Sequence, residues 1–402
     1  MSAAAATVDT PRTGVLERVR AEVSAGNLGS WPVLIVLVIL VGIFSFVATN
    51  FFSATNFINI ITQMGGTTML AYGVVFVLLI GEIDLSISYV SGVAAVVIAE
   101  MTIPGSGRQV TGLIAILLAL LVTAAIGALQ GSFVAYIGVP AFVVTLAGYQ
   151  VWQGVIQKGL TQGVLVLQDR WIGYMNTYFF SATAGWIIAA VVLLIYGGSL
   201  VNGVLSKRRH GVPVTNGGML ITKFVAIAAV TVVTVTICNH DRGVPSPLVL
   251  MVVALLVLTF LAKRTLFGRH VYAVGGNAEA ARRAGINVPR IRILVFIISS
   301  TMAGIGGIML ASRLNSVDLN AGGGTLLIDA ISAAVIGGTS LFGGRGEVRD
   351  ALLGSAVIAV IFNGLQTLNY SQGMVYIVTG ITLLAAVTLD TVLRRRQRQA
   401  GR

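Results

Sequence analysis

Two carboxylates interrupt an apolar stretch in the first quarter of the chain. Residues 67–80 and 85–99 carry no charge, and Gly81-Glu82-Ile83-Asp84-Leu85-Ser86 stands where they meet. A carboxylate at the centre of a bilayer costs about 2.5–3.5 kcal/mol on insertion scales. Glu82 and Asp84 must therefore lie at a helix end, face a wet cavity or have a partner. Each arrangement indicates a protein that moves or senses something polar.

This motif has two interpretations, and its spacing does not decide between them. Gly81 permits a helix break, while Asp84 and Ser86 are residue types that cap helices. In the first interpretation the break lies in a translocation path, which the freed backbone groups line. In the second it is a tight interfacial turn that leaves Glu82 and Asp84 in water.

The second half of the chain contributes further translocation candidates. Ile328-Asp329 repeats Ile83-Asp84, and small residues follow Asp329 as they follow Asp84. Corresponding interrupted segments in two halves are typical of transporters with inverted repeats. Helical periodicity adds Tyr89, Asn363 and Gln366 as candidates for lining a pore.

A short, fully capped helix is predicted at 277–285. Asn277 is the N-cap, Glu279 lies in the positive first turn, Arg282 and Arg283 lie in the last turn, and Gly285 is the stop. A helix of about two turns is not stable through propensity alone. We therefore expect it to dock on another surface; the alternative is that its alanine-rich face lies on the lipid headgroups.

The composition is that of an integral membrane protein. Of 402 residues, 56% are hydrophobic and 10% charged, with a mean hydropathy of +0.92, whereas soluble domains average about 25% charged residues. Cys238 is the single cysteine, and the three histidines have no second ligand at metal-site spacing. Neither a phosphate-binding loop nor a catalytic Ser/His/Asp or Cys/His set can be assembled, so we expect a transport protein with no catalytic or metal site.

Long apolar runs predict twelve membrane-spanning helices. They lie at 31–49, 60–81, 83–100, 110–136, 139–157, 186–205, 218–238, 246–262, 292–312, 326–343, 351–368 and 374–390. Of these, 83–100 and 326–343 are either full spans or broken, re-entrant segments.

The distribution of basic residues orients these spans. With the N-terminus inside, every one of the 26 basic residues is cytoplasmic except Arg108, Lys158, Arg170, Arg242 and Arg313. The charge of +12 thus reflects topology, and nucleic acid is not an expected partner. We predict a cytoplasmic tail at 1–30 without a signal peptide, a transmembrane domain at 31–391 with a long inner loop at 263–291, and a basic cytoplasmic tail at 392–402.

Several separated motifs together resemble the monosaccharide permeases of ATP-binding-cassette (ABC) importers, of the ribose and xylose type. The similarity runs over about residues 31–391 and is strongest to the D-xylose branch. The motifs are Tyr72-Gly73, the 81–86 motif, Val139–Gly148, Gly268–Asn277, Ala280–Ile286 and Ala334–Leu341. Asp241–Ser246, Glu82 and the insertion near 186–238 carry the resemblance to the xylose branch.

This resemblance implies an all-α, multi-pass protein of the bacterial inner membrane, with a ten-helix core and an inserted pair. It implies a homodimeric pore, two copies of a cytoplasmic ATPase that bind ATP and Mg²⁺, an extracytoplasmic sugar-binding protein, and no cofactor in this chain. The family's coupling helix falls on the capped helix, at Asn277, Glu279, Ala280, Ala281, Arg282, Arg283 and Gly285. Candidates for the translocation path or gate are Gly81, Glu82, Asp84, Ser86, Asp329, Asn363 and Gln366.

Two other functions stay open from the residues. A proton-coupled secondary sugar transporter also has twelve spans and would use Glu82, Asp84 or Asp329 as proton carriers. A channel or scaffold would need no coupling at all. The capped helix in the long inner loop favours the ABC importer, whereas the broken, acid-bearing helices favour the proton-coupled transporter.

Overall fold

The structure, a computed structural model, describes residues 31–104, 109–160, 163–211 and 217–400. The predicted N-terminal tail at 1–30 lies outside the described residues, as do the last two residues. The described part is predominantly helical, with four strands of two or three residues, which confirms the prediction of an all-α protein.

The chain forms fifteen described α-helices, and each of the twelve predicted spans coincides with one of them. In chain order the helices are α1 (Trp31–Val47), α2 (Ala54–Leu79), α3 (Ile87–Thr102), α4 (Gly112–Ser132, continued by a π-helical turn at Phe133–Ile137), α5 (Ala141–Gly159), α6 (Arg170–Gly173), α7 (Ala182–Arg209), α8 (Gly217–His240), α9 (Ser246–Arg264), α10 (Leu266–Gly276), α11 (Ala278–Arg283), α12 (Val288–Leu314), α13 (Leu326–Gly337), α14 (Val348–Thr367) and α15 (Gln372–Ala400). Among the described helices, seven are long and apolar enough to cross a membrane, which makes this a multi-pass membrane protein.

Two small antiparallel sheets connect distant segments. β1 (Val164–Val166) pairs with β4 (Ser316–Asp318), and β2 (Phe179–Phe180) pairs with β3 (Val244–Pro245). They lie at one end of the helical bundle, here called the Asp318 end, formed by 163–181, 241–245 and 315–325. The opposite end, here called the Glu82 end, is formed by 80–86, 265–287 and 338–347. Successive long helices run alternately between these two ends.

Helix α12 lies at the centre of the bundle, in contact with α2, α3 and α4. Small residues allow this packing: a Cβ on Gly307 of α12 would lie 2.0 Å from the carbonyl oxygen of Ser91 on α3. Helix α14 packs against α13 and α2 and completes the core. Close backbone approach through glycine is how membrane helices gain van der Waals contact where water supplies no driving force.

Helices α7 and α8 stand apart from this core. They pack mainly against each other. In the most apolar 18-residue segment of each helix, only 11% of the residues of α7 and 6% of those of α8 are buried, against 78% in α2. Their buried residues, among them Gly185, Ala189 and Cys238, lie near the Asp318 end. The pairing of β2 with β3 brings the two ends of this insertion together.

Helix α13 is the shortest of the predicted spans. It begins after the irregular segment 319–325 and ends at Gly337, because the φ of +120° at Gly338 is incompatible with continued helix. The prediction of a span over 326–343 is therefore too long at its C-terminal side, because residues 338–347 form a loop with several glycines in left-handed conformations.

Candidate functional site

The predicted capped helix is present as α11, with each cap formed by the expected residue. The Asn277 side-chain oxygen accepts a hydrogen bond from the Ala280 backbone N–H at 2.9 Å. At the other end Gly285 has φ +85°, its N–H donates to Arg282 O, and the Ile286 N–H donates to Ala281 O. This pattern satisfies the last carbonyls of the helix and stops it.

The outward face of α11 is polar and charged. Glu279 accepts hydrogen bonds from Arg282 at 3.0 Å and from Arg283 at 3.2 Å, and these two bonds lower the pKa of Glu279. The arginine side chains are 70% and 79% exposed. Ala281 instead is buried against the protein. The helix is thus fixed on one side and presents its charges on the other.

A junction of backbone groups connects the loop of α11 to the 81–86 motif. The Gly344 N–H donates to Leu79 O at 2.9 Å, and Gly275 of α10 lies so close that a Cβ there would be 1.7 Å from the same oxygen. A Cβ on Gly343 would meet the Gly275 carbonyl oxygen at 2.8 Å and Gly81 N at 2.9 Å. These glycines place α10, the end of α2 and the 338–347 loop in direct contact.

Side chains reinforce this junction. The Tyr272 hydroxyl donates to Gly346 O at 2.7 Å. Burial, followed by the nearby charges of Glu347 and Asp350, raises the pKa of Tyr272 to about 12, so the hydroxyl keeps its proton. Lys263 forms an ion pair with Glu347 at 2.7 Å.

The two carboxylates of the 81–86 motif have different surroundings. Asp84 is 3% exposed and accepts hydrogen bonds from the Ser86 backbone N–H at 3.0 Å, Ser86 Oγ at 2.7 Å and Ser299 Oγ at 3.2 Å. Glu82 forms an ion pair with Arg292 at 3.2 Å. Burial raises the pKa of Glu82, while the Arg292 charge lowers it. The interpretation that leaves both acids in water is wrong for Asp84, because its carboxylate is enclosed.

The other translocation candidates lie apart from this motif. Asp329 is in the first turn of α13, where its side chain accepts a hydrogen bond from Thr325 Oγ1 at 2.7 Å, and it borders two cavities. Asn363 is buried, Gln366 is exposed, and neither lines these two cavities. Tyr89 is buried, with its ring edge-on to Tyr149 at 4.5 Å. The structure therefore does not bring the candidates into one site, and their roles stay predictions.

Comparison with known proteins supplies the family. The profile described as the permease component of branched-chain amino acid transport systems matches residues 56–387. The chain belongs to this permease family. The permease is 36% identical over 348 residues to the xylose transport system permease protein XylH of Escherichia coli strain K12, covering 86% of the chain and 87% of the relative.

Two further relatives agree with this similarity. The XylH protein of Haemophilus influenzae is 34% identical over 378 residues, covering 92% of the permease and 98% of the relative. The ribose import permease protein RbsC of E. coli K12 is 31% identical over 357 residues, covering 89% and 92%. No solved structure matches the chain. The resemblance to ribose- and xylose-type permeases is confirmed, and the chain is a multi-pass inner-membrane transport subunit rather than an enzyme.

Sequence reasoning missed the partners of the predicted residues. Arg292, Ser299 and Gln130 contact the 81–86 motif from α12 and α4, the last through a 3.0 Å hydrogen bond between Ser86 and the Gln130 side chain. Gln130 carried a usable signal, since it is an amide within the uncharged stretch 109–157. Ser299 carried no such signal, because serine is common in membrane helices for packing reasons alone.

Proposed function

We propose that the permease is the membrane subunit of an ABC importer for a pentose, D-xylose being the first candidate. An extracytoplasmic binding protein delivers the sugar. The two relatives named xylose permeases support this substrate, because both align with at least 86% of the chain. The observation that carries the coupling role is α11, a capped helix with an exposed charged face. It directly follows α10, whose Gly275 makes backbone contacts with the end of α2 beside the 81–86 motif.

The proposed topology has twelve crossings with both termini in the cytoplasm. Successive long helices alternate between the Glu82 end and the Asp318 end, as twelve crossings require. The Glu82 end is rich in arginine, including Arg269, Arg282, Arg283 and Arg345, whereas the Asp318 end has few basic residues in its described part. The positive-inside rule makes the Glu82 end cytoplasmic.

The proposed assembly contains two copies of the permease, two ATPase subunits and one binding protein. ATP and Mg²⁺ are held by the ATPase. Closure of the ATPase dimer on ATP would displace α11, and the contacts of Gly275 with Leu79 would transmit that displacement to the 81–86 motif. Because a binding event shifts a conformational equilibrium only by favouring one state, α11 must contact the ATPase differently in the inward- and outward-facing states.

The test of the coupling role reverses the charge of the exposed face. We expect the double variant Arg282→Glu with Arg283→Glu to retain at most about a tenth of the ATPase in co-purification, because charge reversal places like charges across an interface. In proteoliposomes it should also hydrolyse ATP without stimulated uptake. Arg170→Glu, an exposed arginine at the Asp318 end, is the matched control and should co-purify normally.

The same reconstitution separates the proposed importer from a proton-coupled transporter. Uptake of D-xylose by wild-type permease should require ATP, the ATPase and the binding protein together. Uptake driven by a proton gradient in the absence of the ATPase would overturn the proposed function. Unchanged co-purification of the double variant would overturn the docking role of α11 alone.

A further inference from the structure

Two adjoining cavities lie between α2, α3, α12, α13, α14 and α15, in the half of the bundle nearer the Asp318 end. Their volumes are about 140 and 400 Å³. Leu310, Thr325, Asp329 and Tyr376 border both. The larger cavity also reaches Asp318 and Asn320 at the Asp318 end. Together they form a recess, lined by apolar side chains with several polar groups among them, that leads inward from that end.

The smaller cavity has polar atoms that nothing satisfies among the described residues. Ser355 is 1% exposed, and its Oγ has no hydrogen-bond partner there. The buried Gln63 Oε1 has none either. A buried polar atom without a partner is unfavourable, because it has given up its hydrogen bonds to water. Both residues line the cavity, while the two oxygens themselves are shielded from solvent; a change of side-chain rotamer would present them to a molecule with hydroxyl groups inside it.

Opposite charges border the same cavity. Asp329 uses one carboxylate oxygen to accept from Thr325, while its other oxygen accepts no hydrogen bond from the described residues. Arg313 lies at the end of α12 and forms no ion pair within the described part of the chain. In the smaller cavity these two groups sum to zero, which suits a neutral polar ligand better than an anion or a cation; Asp318, the second acid of the recess, lies at its outer end.

The Tyr376 ring adds an apolar surface to this polar set. It is 46% exposed and borders both cavities. An aromatic face packs against aliphatic carbons, while carboxylate, guanidinium and amide groups exchange hydrogen bonds with hydroxyls, which both donate and accept. A monosaccharide has both kinds of surface.

We propose that this recess is a transient monosaccharide subsite on the translocation path. Asp329, Arg313, Gln63 and Ser355 contact the sugar hydroxyls, and Tyr376 packs against the ring carbons. The inference rests on the proposed importer function and adds the place where the permease itself recognises its cargo. Binding there is weak, because a site on a transport path must release its occupant to the next position.

The direct test measures sugar binding to the permease without the binding protein. Saturation-transfer NMR of the permease in lipid nanodiscs is recorded with millimolar D-xylose as the probe. We expect transfer to the sugar protons in the wild type. Binding should weaken about tenfold in Asp329→Asn and about threefold in Ser355→Ala, as expected for loss of one charged and one neutral hydrogen bond.

Matched controls remove equivalent groups outside the recess. Glu100→Gln removes a carboxylate near the end of α3. Ser300→Ala removes another buried hydroxyl that has no hydrogen-bond partner among the described residues, and neither residue lines the two cavities. Both controls should bind like the wild type. Equal saturation transfer in the wild type and all four variants, or no saturation transfer in the wild type, would overturn the subsite.

Uptake measurements distinguish failure of the subsite from failure of the importer function. In the complete reconstituted transporter at saturating binding protein, Asp329→Asn should slow ATP-dependent D-xylose uptake relative to Glu100→Gln. Wild-type uptake with no difference between these variants would reject the subsite and leave the importer function intact. Absence of ATP-dependent uptake in the wild type would reject the importer function itself.

Discussion

At the scale of single residues, Asp84 connects the break between α2 and α3 to the central helix α12. Its carboxylate accepts from two donors of Ser86 and from Ser299, which is 215 positions away in the chain. A buried carboxylate that accepts several hydrogen bonds holds its donors in one arrangement. The residue thereby fixes the 81–86 motif against the core.

We expect Asp84→Asn to destabilise the permease by about 1–3 kcal/mol, because the amide NH₂ would face donors that need an acceptor. Thermal unfolding in detergent should show a lower Tm, and uptake in proteoliposomes should fall. Glu100→Gln, which removes a carboxylate without these hydrogen bonds, should leave both unchanged. Normal Tm and uptake in Asp84→Asn would mean that the carboxylate only shapes a local turn.

Residue-level prediction succeeded where the interaction is local. Every cap of α11 lies within a few positions of the residue it satisfies, so Asn277 and Gly285 could be assigned from spacing. The partners of Asp84 and Glu82 could not, because Ser299 and Arg292 reach them only after α12 has packed against α2 and α3. The same limit left Ser355 and Gln63 unnoticed.

At the scale of elements, the two neighbouring glycines at the end of α10, Gly275 and Gly276, have very different surroundings. A Cβ on Gly275 would lie 1.7 Å from Leu79 O and 2.8 Å from Gly344 N, whereas a Cβ on Gly276 would meet nothing within 4 Å. The first glycine is therefore required by the contact between α10 and α2. The second is free of that contact.

The expected result is that Gly275→Ala separates the α11 loop from the 81–86 motif. The added methyl group overlaps backbone atoms, which cannot move aside as a side-chain end can. ATP-stimulated uptake should fall at least about tenfold, the effect of a 1.4 kcal/mol change in the coupling equilibrium. Gly276→Ala should transport normally, and a similar loss in both variants would show that the junction is not the reason.

The element boundaries show which physical signals a sequence carries. Long apolar runs located all twelve predicted helices, because a helix must satisfy its own backbone in lipid. Helix α10 was missed and treated as loop, since its eleven residues include three glycines and lie outside the bilayer pattern. The pairings of β1 with β4 and of β2 with β3 were also missed, because strands of two or three residues have no readable period.

At the scale of the whole molecule, the α7–α8 pair is a separable unit. Phe180 pairs with Val244, so the chain leaves and re-enters the core at neighbouring points. A Cβ on Gly243, with φ +96°, would lie 2.2 Å from Phe180 O, so the backbones of the two segments already approach closely there. The core helices α2, α12 and α14 need few contacts from the pair.

Replacing residues 181–243 by a two-residue Asn-Gly turn should therefore leave a folded core. Such turns favour the geometry of a tight antiparallel hairpin. We expect the shortened permease to insert in membranes and to migrate as a monodisperse species in size-exclusion chromatography. As a control, a permease in which residues 326–337 of α13 are replaced by the same Asn-Gly turn should aggregate. Aggregation of both would show that α7 and α8 are part of the core.

Helix α13 has a consequence for the lipid that surrounds the molecule. Its twelve residues reach about 18 Å, while the hydrocarbon layer is about 30 Å thick. The flanking 319–325 and 338–347 segments are irregular, and many of their residues are partly or fully exposed in the single chain. Unpaired backbone groups do not face lipid tails. Most of α13 from Ala330 onward is buried within the chain, so lipid does not reach it there. The exposed parts of its two flanking segments must be covered by water or by another protein subunit rather than by lipid tails.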